Sequence, residues 1–283
     1  MVAPVVSTRW LRDRSATSSA LAVDDVVVAD VRWYLDGRSG REAYLRGHIP
    51  GAVFVELEGC LAGPGGPRVG RHPLPAPEVF AEGMRRSGIS DTTTVVAYDD
   101  AGGVIAARLV WMLRVTGREA ALLDGGIGAY EGPLDEGEHT RSPGVFSPVE
   151  WPNDRLVDID DLDASGLMLI DARDPSRFSG EVEPIDARRG HIPGARNLPC
   201  RQNLDTDGRL LAPARLRERF ESLGVDDTTA VVSYCGSGVT ACFNLIALEL
   251  AGFAPGRLYP GSWSQYSHAT KRPVAEGPGS ARD

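Results

Sequence analysis

Around residue 235 the chain reads Tyr234-Cys235-Gly236-Ser237-Gly238-Val239-Thr240-Ala241-Cys242, a run that combines the parts of a nucleophile site. The apolar run Ala230-Val231-Val232 leads into the cysteine, and Gly236 and Gly238 permit a tight curl before a helical stretch over Val239 to Leu250. A cysteine at the carboxyl end of a parallel strand, followed by a Gly-rich turn and a helix, faces converging backbone N–H groups. The positive end of the helix favours an anionic sulfur, either a thiolate or a persulfide. Cys235 is therefore the expected nucleophile. Cys242 lies two helical turns further on and is expected to pack in the core, and Cys60 and Cys200, in Pro/Gly-rich surroundings, are expected to be structural.

The elements that must position this loop occur twice. Gly47-His48-Ile49-Pro50-Gly51-Ala52 returns unchanged as Gly190-His191-Ile192-Pro193-Gly194-Ala195. Each copy is preceded by an apolar run ending in Asp-x-Arg, at Asp30-Val31-Arg32 and Asp171-Ala172-Arg173. Each is followed by a Thr/Val-rich run ending in tyrosine, Asp91 to Tyr98 and Asp227 to Tyr234. A repeat of about 140 residues is the size of a whole domain, so one domain has been duplicated. The first copy continues Tyr98-Asp99-Asp100-Ala101-Gly102-Gly103 and carries no thiol at this place. Short Val/Ile/Leu runs alternating with helical stretches predict an α/β architecture with a parallel sheet flanked by helices on both faces in each copy. Helices are expected over Ala106 to Val115 and Val239 to Leu250, stopped by Gly117 and Gly252. The Gly/Pro-rich, aperiodic stretch between the copies predicts a silent domain over 1–131, a linker over 132–152 and a catalytic domain over 153–283.

Composition narrows the function. With 42% hydrophobic and 24% charged residues in 283, the chain has the balance of a soluble globular protein. Its four cysteines follow no metal-ligand spacing and are too few for a disulfide framework. There is no run of about 18 apolar residues, and the start lacks the basic-then-apolar order of an export signal, so no membrane association and a cytoplasmic location are expected. A formal net charge of -9 without a basic stripe argues against nucleic-acid binding. An anionic ligand must then meet a local positive pocket.

The loop Cys235 to Cys242 resembles the active-site loop of 3-mercaptopyruvate sulfurtransferases and, more broadly, of tandem-domain rhodaneses. The resemblance extends over nearly the whole chain, through both His-Ile-Pro-Gly elements and the Gly125-Gly126 and Gly261-Ser262-Trp263 turns. It implies two rhodanese-like domains and double displacement without metal or organic cofactor. Cys235 takes sulfur from an anionic donor, 3-mercaptopyruvate or thiosulfate, and passes it to cyanide or a thiol, a thioredoxin-like protein among the latter. The amides of Gly236, Gly238, Val239 and Thr240 would hold the anionic sulfur as an oxyanion hole does. Arg177, in Arg177-Phe178-Ser179-Gly180, matches the family's donor-binding arginine. A second family arginine follows a Glu-Pro pair, but here Glu183-Pro184 precedes Ile185, leaving Arg188 or Arg189 to supply the charge. Ser237 occupies the position that is serine in mercaptopyruvate-type enzymes, and the resemblance implies a relay from it to a histidine, expected to be His48, and an acid, expected to be Asp36.

Duplicated residues in identical settings are more often architectural, so Asp30, Asp171 and His191 are expected to hold turns, and Trp263 to pack. Two other readings compete with this one. A cysteine phosphatase needs an arginine six positions after the cysteine, where this chain has Ala241. A non-enzymatic rhodanese-fold sulfur-carrier or interaction module is the other, and an intact Cys235 loop argues against use of the fold as scaffold alone.

Overall fold

In the computed structural model of the chain, which describes residues 2–17 and 26–279, two compact units are formed. Unit 1 has a wholly parallel sheet of β1 (Val5–Val6), β2 (Val26–Asp30), β3 (Val53–Phe54), β4 (Thr94–Tyr98) and β5 (Ala120–Leu123), in the order β1-β5-β4-β2-β3. Its helices are α1 (Thr8–Thr17), α2 (Gly40–Arg46), α3 (Pro77–Arg86) and α4 (Ala107–Val115). Unit 2 repeats the plan with β6 (Leu167–Asp171), β7 (Arg196–Asn197), β8 (Ala230–Tyr234) and β9 (Arg257–Leu258), parallel in the order β7-β6-β8-β9. Its helices are α5 (Pro175–Phe178), α6 (Pro213–Ser222), α7 (Ala241–Leu250) and α8 (Ser262–Tyr266).

The central strands β4 and β8 are β-branched and covered on both faces, which is why they read as continuous apolar runs. Gly117 and Gly252 take left-handed φ values of 81° just beyond α4 and α7 and stop both helices. The helix after Cys235 begins two residues later than expected, at Ala241, because Val239 and Thr240 belong to the turn. In unit 2, Phe178, Val232, Tyr234, Trp263 and Tyr266 form one buried cluster; Trp263 is wholly enclosed and donates to Arg188 O at 2.9 Å.

The repeated motifs do the same mechanical work in both units. Arg32 pairs with Asp30 at 2.6 Å and donates to Gly47 O at 2.7 Å; Arg173 pairs with Asp171 at 2.7 Å and donates to Gly190 O at 2.7 Å. Each pair is buried and ties a strand end to the His-Ile-Pro-Gly element. Removing one partner would strand the other charge at a cost of about 3–5 kcal/mol. The histidines follow suit: His48 Nδ1 lies 3.0 Å from Tyr44 O with the two rings stacked, and His191 Nδ1 lies 2.8 Å from Phe178 O, stacked on Phe178.

The units depart from the expected boundaries. Most of the stretch expected as linker is built into unit 1: Asp135 exchanges backbone hydrogen bonds with His48, Phe146 packs edge-on to Phe80, and Trp151 donates to Pro75 O at 2.7 Å. Residues 63–74, from the first repeat's half of the sequence, belong to unit 2, where Arg71 N–H donates to Ser264 Oγ at 3.0 Å. Conversely 206–210 belong to unit 1, held by Leu210 N–H on Asp124 at 2.9 Å. Among the described residues no helix is long and apolar enough to cross a membrane.

Candidate active site

Cys235 is the first residue after β8, and its position is fixed from three sides. Its N–H donates to Ser262 Oγ at 3.2 Å, its C=O accepts from Trp263 N–H at 2.9 Å, and Gly238 N–H donates to its Sγ at 3.1 Å. Gly238 can deliver that amide because its φ is +78°; a Cβ there would lie 2.6 Å from Pro260 O. Ser262 is itself in the left-handed region, at φ 52°, and its hydroxyl also donates to Tyr259 O at 2.9 Å. A non-glycine residue there costs on the order of 1 kcal/mol, offset by the hydroxyl that anchors the cysteine backbone. Thr240 caps α7, and Val239 and Thr240 accept its first backbone hydrogen bonds. Of the four amides expected around the sulfur, the hydrogen bond is made by Gly238.

The other thiols are placed as core. Cys242 donates to Gly238 O at 3.4 Å, and Cys60 is buried, its thiol pushed up by that burial. Burial, with Cys235 nearby, pushes Cys200 up to about 12, so it stays protonated at neutral pH.

Ser237, two residues after Cys235, lies with its Oγ 2.9 Å from Nδ1 of His72, and both side chains are buried. The imidazole beside Ser237 is thus His72. His48, the expected partner, spends its Nδ1 on Tyr44 O within unit 1, in the same setting as His191. Asp36, the expected acid, is exposed in unit 1 and paired with Arg38.

Arg177 borders the loop that carries Cys235. Its Nη1 lies 3.5 Å from the point where a Cβ of Gly236 would be, and Arg71 Nη2 lies 3.0 Å from the same point. Gly236, the residue that follows Cys235, thus leaves room for two guanidiniums beside it. Both are held by buried carboxylates: Arg177 binds Glu183 at 2.8 Å and Asp186 at 2.8 Å, Arg71 binds the other oxygen of Asp186, and Arg173 reaches Glu183 at 3.3 Å. Burial works to raise Glu183, but the hydrogen bond from Arg177 and the backbone amides of Asp186 and Ile185 bring it below the usual range. Burial keeps Asp186 above its usual range even against Arg71. Arg188 does not supply the missing cation. Its guanidinium donates to the carbonyls of Ser267, Arg272, Tyr266 and Ala269 at 2.7–3.0 Å and clamps the chain after α8; Arg189 is exposed.

The rhodanese-like domain profile matches this chain twice, over residues 9–132 and 156–269. The chain belongs to the rhodanese-like family. Two members similar to it are a probable 3-mercaptopyruvate sulfurtransferase of Pseudomonas aeruginosa, 43% identical over 96% of this chain and 100% of its own length, and a putative thiosulfate sulfurtransferase, SseB, of Mycobacterium tuberculosis, 40% identical over 90% and 93%. The crystal structure of the 3-mercaptopyruvate sulfurtransferase SseA from Escherichia coli superposes with a TM-score of 0.80 at 32% identity, covering 93% of this chain and 100% of that one. The duplicated rhodanese architecture and the sulfurtransferase class are thereby shown.

Three residues of this rhodanese site escape a reading of the loop alone. Arg71 and His72 lie in a Gly/Pro-rich stretch with no period, and Ser262 stands where the first copy has Gly126. The last carried a signal: Gly126 has φ 58°, so a serine at its equivalent accepts strain that a glycine would not.

Proposed function

We propose that the protein transfers sulfane sulfur from 3-mercaptopyruvate through a Cys235 persulfide to cyanide or a thiol acceptor. The sulfur of Cys235 attacks the sulfur of the donor. The carbon–sulfur bond breaks with its electron pair going to carbon, leaving the enolate of pyruvate and a persulfide on Cys235. The proton that was on the donor's thiol must reach that carbon for pyruvate to form. Ser237 and His72, 2.9 Å apart and buried beside the nucleophile, are the groups that can hold and return it, and this contact carries the reading. Thiosulfate makes no such demand, since sulfite leaves as an anion when the sulfur–sulfur bond breaks. Gly238 N–H supports the negative charge on sulfur, and Arg177 receives the donor's acidic group. In the second half-reaction cyanide or a thiolate attacks the outer sulfur and returns Cys235 to its starting state.

The test is a pair of initial-rate assays, with 3-mercaptopyruvate or thiosulfate as donor and cyanide as acceptor, on the native protein and on Cys235→Ser. The expected result is a larger kcat/KM for 3-mercaptopyruvate and no thiocyanate from the variant. Preference for thiosulfate would overturn the donor, and inactivity with both would revive the interaction-module reading.

A further inference from the structure

Three guanidiniums, Arg71, Arg173 and Arg177, meet three carboxylates, Asp171, Glu183 and Asp186, in the connected cluster beside Gly236. Without Arg71 the same cluster would hold one carboxylate more than it has cations, and an anionic donor approaching Cys235 would meet net negative charge. The second arginine that the family resemblance leads one to expect after the Glu-Pro pair is absent here, where Ile185, 38% exposed, follows Glu183-Pro184. We infer that Arg71 is the second donor-binding cation, standing in space for the arginine that Ile185 replaces. This rests on the donor reading given above.

Four observations carry it. Arg71 Nη2 comes to 3.0 Å from the Cβ position of Gly236, nearer than Arg177 does, so it borders the residue that follows the nucleophile. Asp186 uses one oxygen for each arginine, which aligns the two guanidiniums on a single buried carboxylate whose side chain is 1% exposed. The Nε–H of Arg71 and the Nε–H of Arg177 are both buried and make no hydrogen bond within the chain, so each fork keeps a donor that its carboxylates do not use. Arg71 is also fixed at its backbone, through Ser264, by the segment that carries His72, so the cation and the Ser237 imidazole are positioned together. A planar carboxylate or a sulfonate-like oxyanion matches such a two-fork site, whereas a neutral thiol does not.

The experiment uses the full chain in three forms: Arg71→Met, Arg71→Lys, and Arg71→Met combined with Ile185→Arg, with thermal melting as the check on folding. Donor kinetics are measured with 3-mercaptopyruvate and with thiosulfate at saturating cyanide. Arg71→Met is expected to raise the KM of both donors by about tenfold or more while kcat stays within about threefold, since a binding charge is lost and the nucleophile is not. Arg71→Lys keeps the charge without the fork and raises KM by about threefold, which tests the inference even where the methionine variant does not fold. Adding Ile185→Arg to Arg71→Met returns the cation from the other side and recovers most of the KM. An unchanged KM in folded Arg71→Met, a loss confined to kcat, or no recovery on adding Ile185→Arg overturns the assignment. Failure of the native protein to turn over either donor would instead sink the donor reading on which it rests.

Discussion

The loops that follow β4 and β8 begin alike and end in opposite chemistry. In both, a buried tyrosine hydroxyl accepts the N–H of the isoleucine in a His-Ile-Pro-Gly element, Tyr98 from Ile49 at 3.1 Å and Tyr234 from Ile192 at 3.3 Å. In both, the next residue's carbonyl accepts from the turn after the following strand, Ile127 onto Asp99 and Trp263 onto Cys235, each at 2.9 Å. The difference lies in what occupies the ring of amides. Asp99 fills it with its own carboxylate, one oxygen accepting from Ala101 and Gly103 at 2.7 Å each and the other from Ile105 and Ala106 at 2.7 and 2.9 Å. Cys235 presents a sulfur that takes one amide, Gly238, and the helix behind it starts two residues sooner. The amides close on a carboxyl group in the first unit and face a sulfur in the second. The first loop fills its ring of amides with its own carboxyl group, and the loop after β8 does not.

The largest expected effect comes from making the second loop like the first. Cys235→Asp would place a carboxylate among the amides of the Gly236–Thr240 turn. Transfer to cyanide should fall by a factor on the order of 10⁴ or more, because the nucleophile is gone, with no loss of melting temperature. A variant that melts well below the native protein would show that the reactive loop is not a cradle for a carboxylate and would break the comparison.

A smaller and more selective effect is expected from the imidazole beside Ser237, which has no counterpart in the first loop, where Ala101 stands at the matching position. His72→Asn should lower kcat with 3-mercaptopyruvate by about 10²-fold, the usual worth of a positioned proton-transfer group. Thiosulfate turnover should change by less than about threefold, since sulfite leaves without a proton. Equal losses with both donors would mean that His72 only supports the loop.

What could be read from the sequence was the part whose cause is local. A β-branched strand, a cysteine, two glycines and a helical stretch are contiguous, and duplication exposed both the domain plan and the one loop in which the copies differ. His48 was the expected relay because it lies in a motif, but a motif present in both copies marks shared architecture, and both histidines are spent on holding backbone. Arg188 or Arg189 is the expected cation because both are near Ile185 in the chain, yet the Arg188 guanidinium makes four hydrogen bonds to carbonyls at and beyond the end of α8. His72 and Ser237 meet across 165 positions, through a segment that leaves its own repeat to join the other unit. No periodicity or propensity encodes such a crossing, because it depends on how chain segments are exchanged between the units and not on any local preference.

The smallest effect on activity, and a measurable one on stability, belongs to the loop after β4. Burial pushes the carboxyl of Asp99 above its ordinary range while four amides work against that shift, so the group is both costly and fully used. Asp99→Asn keeps the shape but replaces one oxygen by an NH₂ that faces two amide donors. Two buried N–H groups would then lack an acceptor, a cost of about 2–4 kcal/mol in chemical denaturation. The folded fraction should keep its kcat and its donor KM, since every residue assigned to sulfur transfer lies in unit 2. If the amide variant is as stable as the native protein, the four short contacts to Asp99 are not what holds that loop. The view of the first cradle as a site filled by its own carboxyl group would then fail, while the chemistry assigned to the second would stand.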